Sequence, residues 1–263
     1  NVQSSNPKNM HFEEFDEFTR KLCVETQQTI LSAYRNPELV VETKSDDTPV
    51  TFADRETERE IREAIQVLYP EHGIKGEEFD DVNPDAEMTW IIDPIDGTKS
   101  FTAGSPLFGT MIALLERGQP IYGCINYPAI GDRISGDGEA AYVNGSPVTA
   151  TVGKPLDKSI LLCTDQGYIG QVKGSKDFNQ LSRMTYYTRT WGDCFGYYLV
   201  ACGKADIMLD PEMNPWDLMA LIPIIRGSGA MISDWEGGDP AKGNSIVAAN
   251  SDLHADVIQI LNA

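Results

Sequence analysis

Apolar residues recur along this chain with two periods, one near 3.6 and one near 2, and the alternation between them predicts its elements. Over residues 11–34, Phe12, Phe15, Phe18, Leu22 and Ile30 fall three, four and eight apart with charges between them, which predicts a first helix ended by Asn36-Pro37. An extended segment over 39–43 runs into a polar turn, Lys44-Ser45-Asp46-Asp47. Ile61, Ile65 and Leu68 mark the stripe of a second helix over 54–68, with Asp54 as its cap, Glu56 and Glu58 in its first turn and Tyr69-Pro70 as its stop. Strand signals follow: a short buried run at Trp90-Ile91-Ile92, another over 108–116, and a hairpin partner over 120–126 across Arg117-Gly118-Gln119.

The stretch 131–145 is rich in Gly and Asp and predicts a turn-laden region, with a subdomain junction near Asn144-Gly145 that divides the chain into 1–145 and 146–263. Beyond it, short strands over 160–163, 205–209, 230–233 and 246–249 alternate with helices over 176–182, 193–202, 216–226 and 254–261. Such interleaving predicts a layered, mixed α/β architecture.

The 263 residues suit one large domain or two fused subdomains, and 41% hydrophobic residues suffice for a core. The 40 acidic residues outnumber 21 basic ones, for a net charge of -19. That balance argues against nucleic acid or an anionic membrane as partner. It also repels any anionic small molecule unless a cation is added locally. No apolar run approaches the roughly 18–20 residues that span a bilayer. Residues 1–10 are polar and do not read as a secretory signal, and a chain that begins without Met is expected to be processed or trimmed. Five scattered cysteines without a C-x-x-C pair argue for a reducing compartment and against a disulfide framework or structural zinc.

Three segments place carboxylates in unusual company: Gly76-Glu77-Glu78, Asp93-Pro94-Ile95-Asp96-Gly97-Thr98 at the end of a predicted strand, and Asn214-Pro215-Trp216-Asp217 at the start of an apolar helix. Pro94 biases Asp93 toward an extended backbone, and Gly97 permits a tight turn or close ligand approach. Two carboxylates three apart on a stiff turn can converge, together with the carbonyls between them. Convergent anions need a cation, and oxygen donors without His or Cys favour Mg²⁺, Mn²⁺ or Ca²⁺ over zinc. Each segment also has a plain reading, as turn formers at Asp-Pro and Asp-Gly, a solvated acidic pair at Glu77-Glu78 and a helix cap at Asp217.

Competing motifs are missing. The spacing is not that of an EF-hand, and the chain has no H-E-x-x-H, P-loop or G-x-S-x-G. Three histidines, none in these segments, argue against a Ser-His-Asp enzyme, and His72 is expected at the surface near the end of the second helix.

These segments resemble the signature of the inositol-monophosphatase superfamily of Mg²⁺-dependent phosphatases: Gly76-Glu77-Glu78, Trp90 through Thr98, Trp216-Asp217 with 221–229, and Thr51-Phe52-Ala53-Asp54 as a further element. The resemblance spans nearly the whole chain. It implies a layered αβαβα sandwich, usually a homodimer, with two to three Mg²⁺ per subunit. By position, Glu77, Asp93, the Ile95 carbonyl, Asp96 and Asp217 would hold metals. The Gly97 and Thr98 amides would receive phosphate. Glu77 and Thr98 would orient the attacking water, with Asp54 supporting Thr98. Uncatalysed ester hydrolysis leaves a barrier reduction of roughly 20 kcal/mol or more to the site. The expected route is in-line attack by metal-activated water without a phosphoenzyme.

Arg189-Thr190-Trp191-Gly192-Asp193-Cys194-Phe195-Gly196-Tyr197 and Asp210-Pro211-Glu212-Met213-Asn214 resemble the histidinol-phosphate phosphatase branch, including plant members, more than the inositol branch. Histidinol phosphate carries an ammonium and an imidazole, which Asp193, Asp210 and Glu212 at a pocket rim would bind, with Asn214 beside them. Against this stand a helix cap at Asp193 and turn roles for Asp210 and Glu212. Inositol monophosphatase, bisphosphate nucleotidase and a catalytically silent metal-binding scaffold are the alternative readings. The resemblance places a plant protein in the plastid stroma and a bacterial one in the cytosol. The segments 132–140 and 237–244 look short for the superfamily, as trimmed or flexible loops, and Glu78 is expected outside the metal shell.

Overall fold

The computed structural model describes residues 10–44 and 48–263, so the readings at 1–9 and at Ser45-Asp46-Asp47 lie outside the described residues. Helix α1 (Phe12–Ala33) leads to a hairpin of β1 (Val41–Thr43) and β2 (Pro49–Thr51), then α2 (Phe52–Leu68), β3 (Gly73–Gly76) and β4 (Met88–Asp96). A single turn-and-a-half, α3 (Thr98–Thr102), precedes the antiparallel run β5 (Gly109–Glu116), β6 (Gln119–Tyr127), β7 (Asp132–Gly136), β8 (Ala141–Val143) and β9 (Ser146–Pro147). The chain continues through β10 (Ile160–Cys163), α4 (Gln166–Val172), α5 (Lys176–Met184), β11 (Tyr187–Arg189), α6 (Asp193–Ala201) and β12 (Ile207–Asp210). It ends with α7 (Pro215–Leu218), α8 (Leu221–Gly227), β13 (Met231–Ser233), β14 (Ile246–Ala249) and α9 (His254–Leu261).

Strands β3 to β9 form one seven-stranded sheet in sequence order, and a five-stranded sheet runs β11-β10-β12-β14-β13. The period-2 pattern of each sheet decides the layers. Trp90, Ile92, Ile112 and Leu114 face α1 and α2, where they meet Phe15, Leu22, Ile61 and Ile65. Ile91, Met111, Ala113 and Leu115 face the other way, into a core shared with Tyr197 of α6, Ile224 of α8, and Leu162, Met208 and Ala248 of the second sheet. Leu161, Cys163, Ile207, Leu209 and Val247 cover the far side against α5 and α9. The result is the expected αβαβα sandwich.

Several local expectations shift for identifiable reasons. The Trp90–Ile92 run is the middle of a nine-residue strand that continues through Asp93 and Pro94. Proline is tolerated there because the ladder to β5 breaks between Asp93, opposite Met111, and Asp96, opposite Gly109. The expected helix over 216–226 is two helices, because Pro223 has no N–H to give Met219; the chain restarts with Pro223 in the first turn of α8. Thr51, not Asp54, caps α2: Asp54 is the third helical residue of a capping box. Residues 132–140 belong to the β7–β8 hairpin instead of a loose loop, and Asn144-Gly145 turns between β8 and β9 of the same sheet. His72 is buried, and Trp90 Nε1 donates to its Nδ1 at 3.0 Å.

Candidate active site

In a regular strand, residues three apart point to opposite faces. The bulge at Pro94-Ile95 puts two residues opposite Thr110 alone, whose hydroxyl donates to the Pro94 carbonyl at 2.9 Å. The extra residue turns Asp96 to the side that Asp93 occupies. Asp217, from the first turn of α7, joins them, and one carboxylate oxygen of each lies within 4.8 Å of the others. Asp93 Oδ1 accepts the Ile95 N–H at 2.9 Å, Asp96 Oδ2 the Cys194 N–H at 2.5 Å, and Asp217 Oδ2 the Asn214 N–H at 2.8 Å. Each carboxylate is thus aimed through one oxygen.

Burial pushes the Asp93 carboxyl well above its ordinary range, and the charges of Glu77, Asp96 and Asp217 push it further. Burial likewise raises Asp96, with repulsion from Asp193 and Asp217, and raises Asp217 against the two hydrogen bonds from Asn214. One buried and two half-buried carboxylates that repel one another, each fixed by a backbone amide, fit a divalent cation held by hard oxygen donors.

Glu77 lies beside this trio on the turn after β3, and its Oε1 accepts from Lys44 Nζ at 2.7 Å. The same ammonium reaches Glu78 Oε1 at 2.5 Å. Burial alone would lower the Lys44 ammonium, but the two glutamates hold it above its usual value. Glu78 is turned toward Lys44 as Glu77 is. On the opposite side, Gly97 takes φ of 83°, and a Cβ there would lie 2.8 Å from the Leu107 carbonyl, so only glycine fits. The Thr98 hydroxyl lies 3.0 Å from the Ile95 carbonyl and 3.4 Å from Asp54 Oδ1. Asp54, raised by burial, is held through its other oxygen by the Thr51 amide and hydroxyl.

A cavity of about 480 Å³ opens over these groups, lined by Glu77, Asp93, Asp96, Thr98, Asp193 and Asp217 among others. Of the specificity residues, Glu212 is exposed at its rim and accepts from the Tyr168 hydroxyl, and Asn214 is exposed beside Asp217. Asp193 has a left-handed backbone, φ 51°, and burial raises its carboxyl to about 6 against a hydrogen bond from Ser100. Gly192, not Asp193, is the helix cap. Asp210 corrects the expectation of a rim acid: it is buried, and its oxygens accept from the Thr164 amide at 3.1 Å and the Tyr197 hydroxyl at 2.9 Å. It braces the floor of the cavity. Lys44, Thr164 and Tyr168 escaped the sequence reading. For Lys44 a signal existed, in the lone cation of an acidic turn.

The sequence model of the inositol monophosphatase family matches residues 11–263. The chain belongs to the inositol monophosphatase family. It is accordingly a phosphoric monoester hydrolase. A histidinol-phosphatase of Chlorobaculum parvum is 38% identical over 240 residues, covering 90% of this chain and 93% of that protein. A histidinol-phosphatase of Mycobacterium tuberculosis is 36% identical, covering 86% and 89%. Among solved structures, an inositol monophosphatase from Zymomonas mobilis superposes with a TM-score of 0.86 at 30% identity, covering 97% of this chain and all of that one. Among the described residues, no helix is long and apolar enough to cross a membrane.

Proposed function

We propose that this member of the family hydrolyses histidinol phosphate to histidinol and phosphate with Mg²⁺ as cofactor. The observation that carries the reading is the convergence of Asp93, Asp96 and Asp217 in a cavity that exposes Glu212 at its rim, with the half-buried Asp193 next to Asp96 and Gly97. The carboxylate cluster suits a cation-assisted phosphate, and the exposed glutamate at the rim suits an organic cation. The 38% and 36% identical histidinol-phosphatases support that assignment.

Glu77, Asp93, Asp96, Asp217 and the Ile95 carbonyl would hold Mg²⁺, which supplies charge neutralisation for the phosphoryl oxygens and lowers the pKa of water. The Gly97 and Thr98 amides receive the phosphate at the turn that ends β4. The Thr98 hydroxyl donates a hydrogen bond to the Ile95 carbonyl or to Asp54, which leaves its oxygen lone pairs to accept a hydrogen bond from the attacking water. Glu77 takes the other water proton. Asp54, anchored by Thr51, keeps Thr98 in that orientation.

A homodimer with two to three Mg²⁺ per subunit is part of the proposal; sedimentation and metal titration measure both. The two named histidinol-phosphatases are bacterial, which favours a cytosolic setting over a plastid one. The deciding experiment is phosphate release from histidinol phosphate, inositol 1-phosphate and adenosine 3′,5′-bisphosphate over a range of Mg²⁺. Histidinol phosphate is expected to have the highest kcat/KM. A preference for either other ester moves the substrate assignment, and no release from any would mean a silent scaffold.

A further inference from the structure

Helix α2 presents Asp54, Glu58 and Arg62 four residues apart, on one face, and all three are buried. Asp54 serves Thr98. The other two serve the opposite edge of the site. Glu58 Oε2 accepts the Glu78 N–H at 2.8 Å, and Glu58 Oε1 accepts from Arg62 Nε at 2.7 Å. The Arg62 fork then reaches the carbonyls of Phe79 and Asp80, each at 2.9 Å. Three consecutive residues after Glu77 are therefore pinned to α2. On the other side of Glu77, a Cβ on Gly76 would lie 2.0 Å from Glu58 Oε1, so the backbone is pressed against that carboxylate.

A buried ion pair is weak evidence for stability, since apolar residues of similar volume often serve as well. Here the pair spends its polar atoms on the backbone of one turn, and neither side chain lines the cavity. We infer that Glu58 and Arg62 are positioning residues that fix the Glu77 carboxylate at the metal-binding edge of the site. This rests on the reading of Glu77 as a metal ligand, given above.

The test compares full-length Glu58→Gln, Arg62→Lys and Glu77→Gln with the parent. Gln at 58 has a single acceptor oxygen for two donors, and Lys at 62 keeps the charge while losing the fork. The measurements are the Mg²⁺ Kd by calorimetry without substrate, kcat and KM against Mg²⁺, and Tm. Glu58→Gln and Arg62→Lys are expected to weaken Mg²⁺ binding roughly 10-fold, with kcat recovering at saturating Mg²⁺ and KM for the ester unchanged. A lowered Tm with an unchanged Mg²⁺ Kd overturns the inference, because the pair would then be structural only. Should Glu58→Gln not fold, Arg62→Lys carries the test alone. If Glu77→Gln binds Mg²⁺ as the parent does, the ligand reading itself fails. If Glu77→Gln loses Mg²⁺ while the α2 variants keep it, only the positioning role fails.

Discussion

The Lys44 ammonium lies 2.7 Å from Glu77 Oε1, on the carboxylate proposed to take a divalent ion. It also reaches Glu78, so one cation balances two half-buried acids. If Glu77 takes the ion as proposed, lysine and metal compete for one carboxylate. Lys44→Gln leaves both glutamates without that charge, and the metal-free Tm is expected to fall by about 2–4 °C for each kcal/mol lost. The rise in Tm on adding Mg²⁺ should be larger than in the parent, since the ion supplies what the lysine supplied. Thermal melts with EDTA and with Mg²⁺ check this, and an equal rise in both proteins would dismiss the competition.

Asp93 is buried and faces the charges of Glu77, Asp96 and Asp217. Asp93→Asn keeps an oxygen for the Ile95 amide and removes the repulsion. The metal-free variant should melt at a higher temperature than the parent, while kcat/KM falls about 100-fold or more, or roughly 2.7 kcal/mol. A variant that is both less stable and inactive would mean that repulsion is not what this carboxylate endures.

Burial of the acids sets a pH dependence as well. Carboxyls raised in the folded state bind protons there that the unfolded chain has released, so metal-free stability falls as pH rises. Asp193, at about 6, and Asp210, at about 7, place the loss between the ordinary carboxylate range near 4 and neutrality. Melts in EDTA should show Tm declining from pH 5 to pH 8, and Mg²⁺ should flatten the curve. A Tm that climbs over that interval would contradict the sign.

Substrate choice separates the three acids. Glu212→Gln keeps an acceptor for Tyr168 and removes only charge, so KM for histidinol phosphate should rise about 5-fold, the scale of an exposed charge pair. Asp193→Asn, tolerated at a left-handed position, should act in the same direction. Neither should change KM for a phosphate monoester whose alcohol portion carries no charge. Asp210→Asn leaves one donor, Thr164 N–H or Tyr197 O–H, without an acceptor, and should lower Tm and affect both esters alike. Equal KM losses for both esters in Glu212→Gln would remove the rim acids from recognition.

The layered architecture and the candidate acidic cluster were legible because they are written in local patterns: alternating apolar strands, a proline between two aspartates, an aspartate behind Asn-Pro-Trp. What depended on distant contacts was hidden. His72 looked like a surface residue because the acceptor role it plays for Trp90 comes from a strand 18 residues away. Asp210 looked like a rim acid because nothing nearby in sequence announces Thr164 or Tyr197 as its donors. Glu58 read as a first-turn charge, and only the path of the chain after β3 shows the amide it holds. Strand β4 looked too short because proline usually ends a strand, and the bulge that accommodates it is a property of the pairing with β5.

That bulge has a consequence for how the chain can change. Removing one residue at Pro94-Ile95 would restore an uninterrupted ladder with β5, yet it would swing one of the two flanking aspartates through half a turn and away from its companion. Length variation at this spot is therefore an all-or-none matter. A one-residue deletion there parts the two acids in a single step.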